Sequence, residues 1–189
     1  MNHYPGNIVL IGFHSSGKTH VGKMLAKYLN REFFDLKDDI EKRNACSLHA
    51  LSLIHNDNHI HKLERALIEE LQFKDRLVIA STYFTVKDVR NVLKLKQNSL
   101  LIHLNASKYS IFRNLLHDNP NNGSTEQDEF YEDVITDISN QLNDNQKFYA
   151  CCDFAISIDE LTGDEIVDEI ISYYSIYKKI YKLDDGKTE

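Results

Sequence analysis

The side chains best suited to chemistry lie in residues 12–19, Gly-Phe-His-Ser-Ser-Gly-Lys-Thr. This run matches the phosphate-binding pattern of a glycine, four residues, and then Gly-Lys-Thr. The two glycines permit backbone conformations in which successive N–H groups point into one concavity. Lys18 can reach the β- and γ-phosphates of a nucleotide, and the Thr19 hydroxyl can bind magnesium. The spacing predicts a nucleotide phosphate site formed by Gly12, Ser15, Ser16, Gly17, Lys18, Thr19 and His20.

The residues around this run support the same interpretation. An apolar segment, residues 8–11, precedes it, and Val21 and Leu25 begin a helical pattern after it. A strand, a glycine-rich turn and a helix in this order form the context that a phosphate-binding loop, or P-loop, requires. The N-terminus of the helix adds partial positive charge to the site.

Strand-like and helical segments alternate along the rest of the chain. Short apolar runs predict strands at residues 8–11, 33–35, 77–81, 100–105 and 154–158, and amphipathic stretches between them predict helices. This alternation predicts an α/β P-loop fold, a three-layer sandwich with a five-stranded parallel sheet and helices on both of its faces. We expect a single domain over residues 1–183 and a flexible tail over 184–189. A segment rich in Asn, Asp, Pro and Gly predicts a lid loop at about 114–128.

Composition excludes several classes of protein. The net charge of −7 is unfavourable for binding nucleic acid, and no apolar stretch approaches the ~20 residues of a membrane span. Cys46, Cys151 and Cys152 show no disulfide or metal-binding spacing. We therefore expect a cytoplasmic protein and a monomer, with a nucleotide and a small-molecule acceptor as its partners and neither nucleic acid nor membrane.

Residues beyond the phosphate loop resemble the shikimate kinase family. The resemblance rests on Val21-Gly22-Lys23, Arg31-Glu32-Phe33-Phe34-Asp35, Ile40-Glu41, Glu64, Val78-Ile79-Ala80, Arg90-Asn91 and Tyr149. It covers nearly the whole chain and implies a nucleoside-monophosphate-kinase-like P-loop fold. It also implies ATP and Mg²⁺ as cofactors and phosphoryl transfer to a hydroxyl group of a small molecule.

The resemblance assigns roles to two further positions, Asp35 and Arg113. Lys18 and Asp35 become the expected catalytic residues, and Thr19 and Asp35 the expected magnesium ligands. Asp35 could instead only cap the following helix, because aspartate is a preferred N-cap residue. Arg113 is similar in position to an arginine that stacks on adenine in the family, although a solvated helix arginine is an equally good interpretation.

The acceptor site of the family is not reproduced. Lys37 stands where the family has an aspartate that binds shikimate hydroxyls, and Thr82-Tyr83-Phe84 stands where it has three glycines. His61 and Asn145 stand where it has two arginines that hold the shikimate carboxylate. A planar guanidinium is the natural bidentate partner of a carboxylate. The sequence therefore predicts an acceptor other than shikimate.

Two alternatives remain open. Residues 114–146 contain no Lys or Arg, whereas phosphoryl transfer is usually assisted by a cationic lid group. The protein could accordingly be a nucleotide-binding pseudokinase or sensor with little catalysis. It could also be a functional shikimate kinase with a rearranged acceptor site.

Overall fold

Five parallel strands form one sheet at the centre of the protein. The computed structural model describes residues 6–118 and 128–180. The strands are β1 Asn7–Ile11, β2 Glu32–Asp35, β3 Leu77–Ala80, β4 Ser99–Asn105 and β5 Phe154–Ser157. Their spatial order is β2-β3-β1-β4-β5, and all neighbouring pairs are parallel. The five predicted strands are confirmed to within one residue at each end.

Helices cover both faces of the sheet, which confirms the predicted three layers. They are α1 Lys18–Tyr28, α2 Leu36–Asn44, α3 Leu48–Ile54, α4 Asp57–Leu71, α5 Val89–Lys96, α6 Lys108–Asp118, α7 Asp128–Tyr149 and α8 Gly163–Ile180. Ile8 and Leu10 of β1 pack towards α1, α6, α7 and α8, while Val9 and Ile11 pack towards α2 to α5. Within the described residues, no helix is both long enough and apolar enough to cross a membrane.

Strand order determines where a ligand can bind. β1 lies between β3 and β4, so the chain leaves β1 towards one side of the sheet and later returns on the other side. In open parallel sheets, ligands bind at the carboxyl ends of the strands where the strand order reverses. The segment after β1 is residues 12–17, which contains the predicted phosphate loop, and α1 begins directly after Gly17.

Helices occupy both ends of the segment predicted as a lid loop, about 114–128. Helix α6 continues to Asp118, and α7 begins at Asp128. Leu115 packs against the apolar core beside Ile111, and this burial outweighs the turn preference of the Asn and Asp residues near the end of the helix. Residues 119–127, the rest of the predicted lid, lie outside the described residues, as does the predicted tail, residues 184–189.

Candidate active site

The phosphate loop joins the end of β1 to the start of α1. Gly17 has φ of +80°, a conformation that favours glycine. At Gly12 the constraint is space, because a Cβ atom would lie 2.8 Å from the Leu104 carbonyl oxygen and 2.7 Å from Ser16 Oγ. Ser15 adopts φ of +53° without being a glycine. The two glycines of the motif are thus required by the backbone geometry of the loop.

Lys18 lies folded over this loop. Its Nζ donates hydrogen bonds to the carbonyl oxygens of Gly12 (3.0 Å) and Phe13 (2.6 Å). Burial of the ammonium group lowers the pKa of Lys18 to about 8; the charge of Asp35 opposes this shift and the charge of Lys37 adds to it. Lys18 is therefore a buried cation whose charge is sensitive to the arrival of an anion.

Thr19 and Asp35 come together beside the loop. Thr19 Oγ1 donates a 2.6 Å hydrogen bond to Asp35 Oδ2, while Asp35 Oδ1 accepts from the backbone N–H groups of Lys37 and Asp38. Asp35 is therefore both the cap of α2 and a partner of Thr19, so the two interpretations of this residue are compatible. A hydroxyl and a carboxylate are hard oxygen ligands of the kind Mg²⁺ prefers, and the pair fits such an ion.

A buried carboxylate organises the segment that follows β3. Glu64 of α4 is fully buried and accepts hydrogen bonds from the Thr82 hydroxyl, from the Thr85 hydroxyl (2.7 Å) and from the Asn91 amide (3.2 Å). The backbone N–H of Phe84 in turn donates to Thr82 Oγ1 at 3.0 Å. Neutral donors thus satisfy the carboxylate and hold residues 82–85 in place. We call Glu64, Thr82, Thr85 and Asn91 the Glu64 cluster.

After Thr82 and Phe84, two more of the six substituted acceptor positions lie close to this cluster or to the loop. His61 Nδ1 is 3.7 Å from Glu64 Oε2, and the Tyr83 ring meets the rings of Phe13 and His14 edge-on, at centroid distances of 6.0 and 6.2 Å. The ammonium group of Lys87 lies 4.3 Å from the centroid of the Tyr83 ring. The segment is therefore packed with side chains.

The other two substituted positions behave differently from each other. Asn145 is buried, and its amide donates to the Gln141 carbonyl oxygen at 2.6 Å, within helix α7. Lys37 is exposed on the first turn of α2, two residues after Asp35. Asn145 therefore uses its donor locally, whereas the Lys37 side chain extends into solvent near the phosphate loop.

Two histidines near the loop are neutral at physiological pH, a feature that sequence reasoning missed. Burial, and secondarily the positive charge of Lys18, lowers the pKa of both His14 and His103 to about 4. The His103 ring stacks on Tyr149 with a centroid distance of 4.2 Å. His14 is part of the motif itself, but its protonation depends on its surroundings in three dimensions. Neither imidazole supplies a positive charge to the phosphate loop at neutral pH.

The two remaining predicted nucleotide residues, Arg113 and His20, are both exposed. Arg113 is exposed on α6. Burial raises the pKa of Asp159, which follows β5, but hydrogen bonds from Ser107 and Ser110 and the charge of Arg113 together lower it. His20 is exposed on α1 and lies next to Gly163, the first residue of α8. A Cβ atom at Gly163 would lie 3.3 Å from His20 Nε2. Asn114, which the sequence did not single out, donates a 2.8 Å hydrogen bond to the Ser15 carbonyl oxygen.

Comparison with known proteins assigns the family. The family model described as shikimate kinase matches residues 14–175. The chain belongs to the shikimate kinase family. It is therefore an ATP-dependent kinase, a phosphotransferase acting on a hydroxyl group, which favours the kinase interpretation over the sensor.

Curated relatives and solved structures agree with this assignment. A shikimate kinase of Thermodesulfovibrio yellowstonii is 32% identical over 182 residues, or 96% of this chain and 99% of the relative. One of Caldicellulosiruptor saccharolyticus is 31% identical over 172 residues, or 89% and 95%. The fold is similar to that of the shikimate kinase from Acinetobacter baumannii in complex with shikimate, with a TM-score of 0.77 and 23% identity over 93% of this chain and 95% of that one.

Substituting Lys18 tests the phosphate site of this kinase. The Lys18→Ala variant should lose more than about two thirds of the rise in melting temperature that saturating Mg-ATP produces, because stabilisation by a ligand follows its affinity. The measurement is thermal unfolding of each variant with and without Mg-ATP, so that any change in the stability of the ligand-free protein cancels. Lys27→Ala, which removes an exposed lysine from the last turn of α1, is the matched control. Equal shifts for the two variants would contradict the assignment of the loop.

The pKa of Lys18 predicts a proton linkage. Near pH 8, about half of the Lys18 side chains of the ligand-free protein are uncharged, and a bound phosphate should raise the pKa again. Nucleotide binding at pH 8 should therefore take up about half a proton, and affinity should fall as the pH rises above about 8. Calorimetry at pH 8 in two buffers with different ionisation enthalpies measures the uptake. Lys18→Arg should abolish it, and a wild-type protein without proton uptake would show that Lys18 does not meet the phosphates.

Proposed function

We propose that this protein transfers the γ-phosphoryl group of Mg-ATP to a hydroxyl group of an acceptor other than shikimate. The observation that carries the proposal is the hydrogen bond between Thr82 and the buried carboxylate of Glu64. It ties down a side chain at the position where the family resemblance implies glycine. The phosphate loop, in contrast, has every residue of its motif.

Each residue of the nucleotide half of the site has a role in this proposal. Backbone N–H groups of residues 12–17 surround the phosphates, and Lys18 reaches the β- and γ-phosphates. Thr19 and Asp35 would hold magnesium, which neutralises charge on the phosphate oxygens when it is bound. Arg113, which is exposed on α6, would stack on the adenine, as the family resemblance implies. Asp35, whose carboxylate meets the Thr19 hydroxyl, would also orient the attacking hydroxyl group.

In the acceptor half, side chains stand where the family resemblance implies three glycines. A triple glycine would let a ring approach the backbone, whereas here Thr82 and Phe84 are 4% and 5% exposed and Tyr83 adds a third bulky side chain. Because the Thr82 hydroxyl serves both Glu64 and the Phe84 N–H, its rotation would leave a buried carboxylate short of a donor. This arrangement supports an acceptor that does not approach the backbone of residues 82–84.

The charges also disfavour shikimate, which carries a carboxylate. His61 and Asn145 replace the two arginines expected for that carboxylate, and the Asn145 donor is already used by Gln141. Two arginines elsewhere on α4 and α5, Arg65 and Arg90, both bind Asp88. Without a guanidinium, an acceptor carboxylate would lose charge-assisted hydrogen bonds worth ~1.5–3 kcal/mol each.

A specific observation favours the second candidate, a shikimate kinase with a rearranged acceptor site. The curated relatives that match nearly the full chain are named shikimate kinases, and the relative from Acinetobacter baumannii was solved with shikimate. The two candidates share the nucleotide half and differ only in the acceptor. A binding measurement with shikimate therefore separates them.

We expect shikimate to bind with a dissociation constant above about 1 mM, which corresponds to less than ~4 kcal/mol. The measurement is calorimetry in the presence of saturating magnesium and a non-hydrolysable ATP analogue. The Acinetobacter baumannii relative, in the same cell and buffer, is the positive control. Binding tighter than a millimolar would establish the second candidate. If shikimate does not bind, a panel of hydroxylated ring compounds in a coupled ADP-release assay would identify the acceptor.

Lys37 is the residue best placed to supply the positive charge that phosphoryl transfer needs. Residues 114–146 contain no Lys or Arg, and His14 is held neutral by burial and by Lys18. The charge of Lys37, in contrast, contributes to the lowered pKa of Lys18, so the two ammonium groups lie within electrostatic reach of each other. A cation at this place would stabilise the charge that develops on the γ-phosphoryl oxygens.

Lys37→Ala should slow acceptor-independent hydrolysis of ATP by ~10–100-fold, because loss of one charged stabilising group costs this much or more in related sites. Lys37→Arg should retain most of the rate, and Lys37→Asp, which restores the residue of the family, should be at least as slow as Lys37→Ala. Lys42→Ala, which removes an exposed lysine from the last turn of the same helix, is the control. If Lys37→Ala and Lys42→Ala hydrolyse ATP equally fast, Lys37 has no part in the reaction.

A further inference from the structure

The carbonyl oxygens of the phosphate loop present a problem for anion binding. An anion is attracted by N–H groups and repelled by the negative end of a carbonyl dipole, so the carbonyl groups must be directed away from the bound phosphates. The Gly12 and Phe13 carbonyl groups are each held by the amine of Lys18. The Ser15 carbonyl group is held by a different residue, Asn114, at 2.8 Å.

Ser15 is the part of the loop that most needs support. Its φ of +53° lies in the left-handed region, which is unfavourable for a residue with a side chain. The peptide between Ser15 and Ser16 is planar, so its carbonyl and N–H groups point in opposite directions. The Ser16 N–H donates a hydrogen bond to the Phe13 carbonyl oxygen at 3.3 Å, inside the loop, while the Asn114 amide donates to the Ser15 carbonyl oxygen on the other side of the peptide. Asn114 thereby fixes the orientation of this peptide from outside the loop.

Helix α6 is held in position without the help of Asn114. Its Ile111 is completely buried, and Phe112 and Leu115 pack against the same apolar core. The helix therefore provides a rigid base, and the hydrogen bond from Asn114 acts on the loop rather than on the helix. The Asn114 side chain is half-buried, so solvent competes less for its donor than at the surface.

We propose that Asn114 is a positioning residue of the phosphate site, holding the Ser15 carbonyl group against helix α6 and so away from the phosphates of the nucleotide. Asn114 is neutral and does not contact the phosphates; it acts through Ser15. The proposal concerns the nucleotide half of the site and does not depend on which compound is the acceptor. Lys18 restrains the loop from within, whereas Asn114 restrains it from a position 99 residues away in the sequence.

Asn114→Ala should weaken Mg-ATP binding by ~3–10-fold, the effect expected for loss of one hydrogen bond. The affinity for adenosine, which has no phosphate, should stay within about twofold of the wild type. Acceptor-independent ATP hydrolysis at saturating nucleotide should change less than the affinity does, because the residue orders the binding loop and does not meet the reacting atoms. Asn143→Ala removes an exposed asparagine from α7 and is the matched control.

The decisive measurement is the same substitution in a Ser15→Gly background. Glycine adopts φ of +53° without the cost that a side chain brings, so Asn114→Ala should weaken Mg-ATP binding less there than in the wild type. Should Asn114→Ala fold poorly, Asn114→Asp keeps the size of the side chain and removes the donor, and it should weaken binding at least as much. Equal effects in both backgrounds, parallel loss of adenosine affinity, or no loss of Mg-ATP affinity would each overturn the proposal.

Discussion

The hydrogen bonding of β1 to β3 on one side and to β4 on the other is the interaction on which the rest of the structure depends. β1 is buried along its whole length, and its last residues pair with Ala80 and His103. This register brings the phosphate loop to the same edge of the sheet as Asp35, Thr82 and His103. Residues far apart in sequence meet there because parallel strands end together. Strand pairing therefore determines where the site lies, and the side chains then determine its chemistry.

The two halves of the site are built by different means. The phosphate half is mainly backbone: two glycines, the N-terminus of α1 and carbonyl groups held by Lys18 and Asn114. The acceptor half is mainly side chain: the Glu64 cluster, Tyr83 and Phe84. A backbone cradle tolerates few substitutions because the geometry itself requires glycine. A pocket made of side chains can change its chemistry without disturbing the sheet.

The features that the sequence predicts correctly are those that depend on a local pattern of residues. The short apolar strands, the loop after β1 and the Asp35 cap each have a signal within a few residues, and each is found. The predicted lid overlaps the last residues of α6, because Asn and Asp favour turns while Leu115 is held in the helix by contacts with the apolar core. The bond from Asn114 to Ser15 spans 99 residues and has no local signal. The neutrality of His14 and His103 likewise depends on burial, which only the folded chain provides.

The Glu64 cluster has a consequence for how this protein can evolve. A buried carboxylate that depends on Thr82, Thr85 and Asn91 links these positions, since removing one donor costs more while the carboxylate remains. Substitution of Thr82 by glycine would be disfavoured until Glu64 found another partner, such as an arginine at residue 61. The order of substitutions is therefore restricted, because a single change in the cluster is penalised more than a combined one. Such epistasis would keep the cluster unchanged even where selection on any one of its residues is weak.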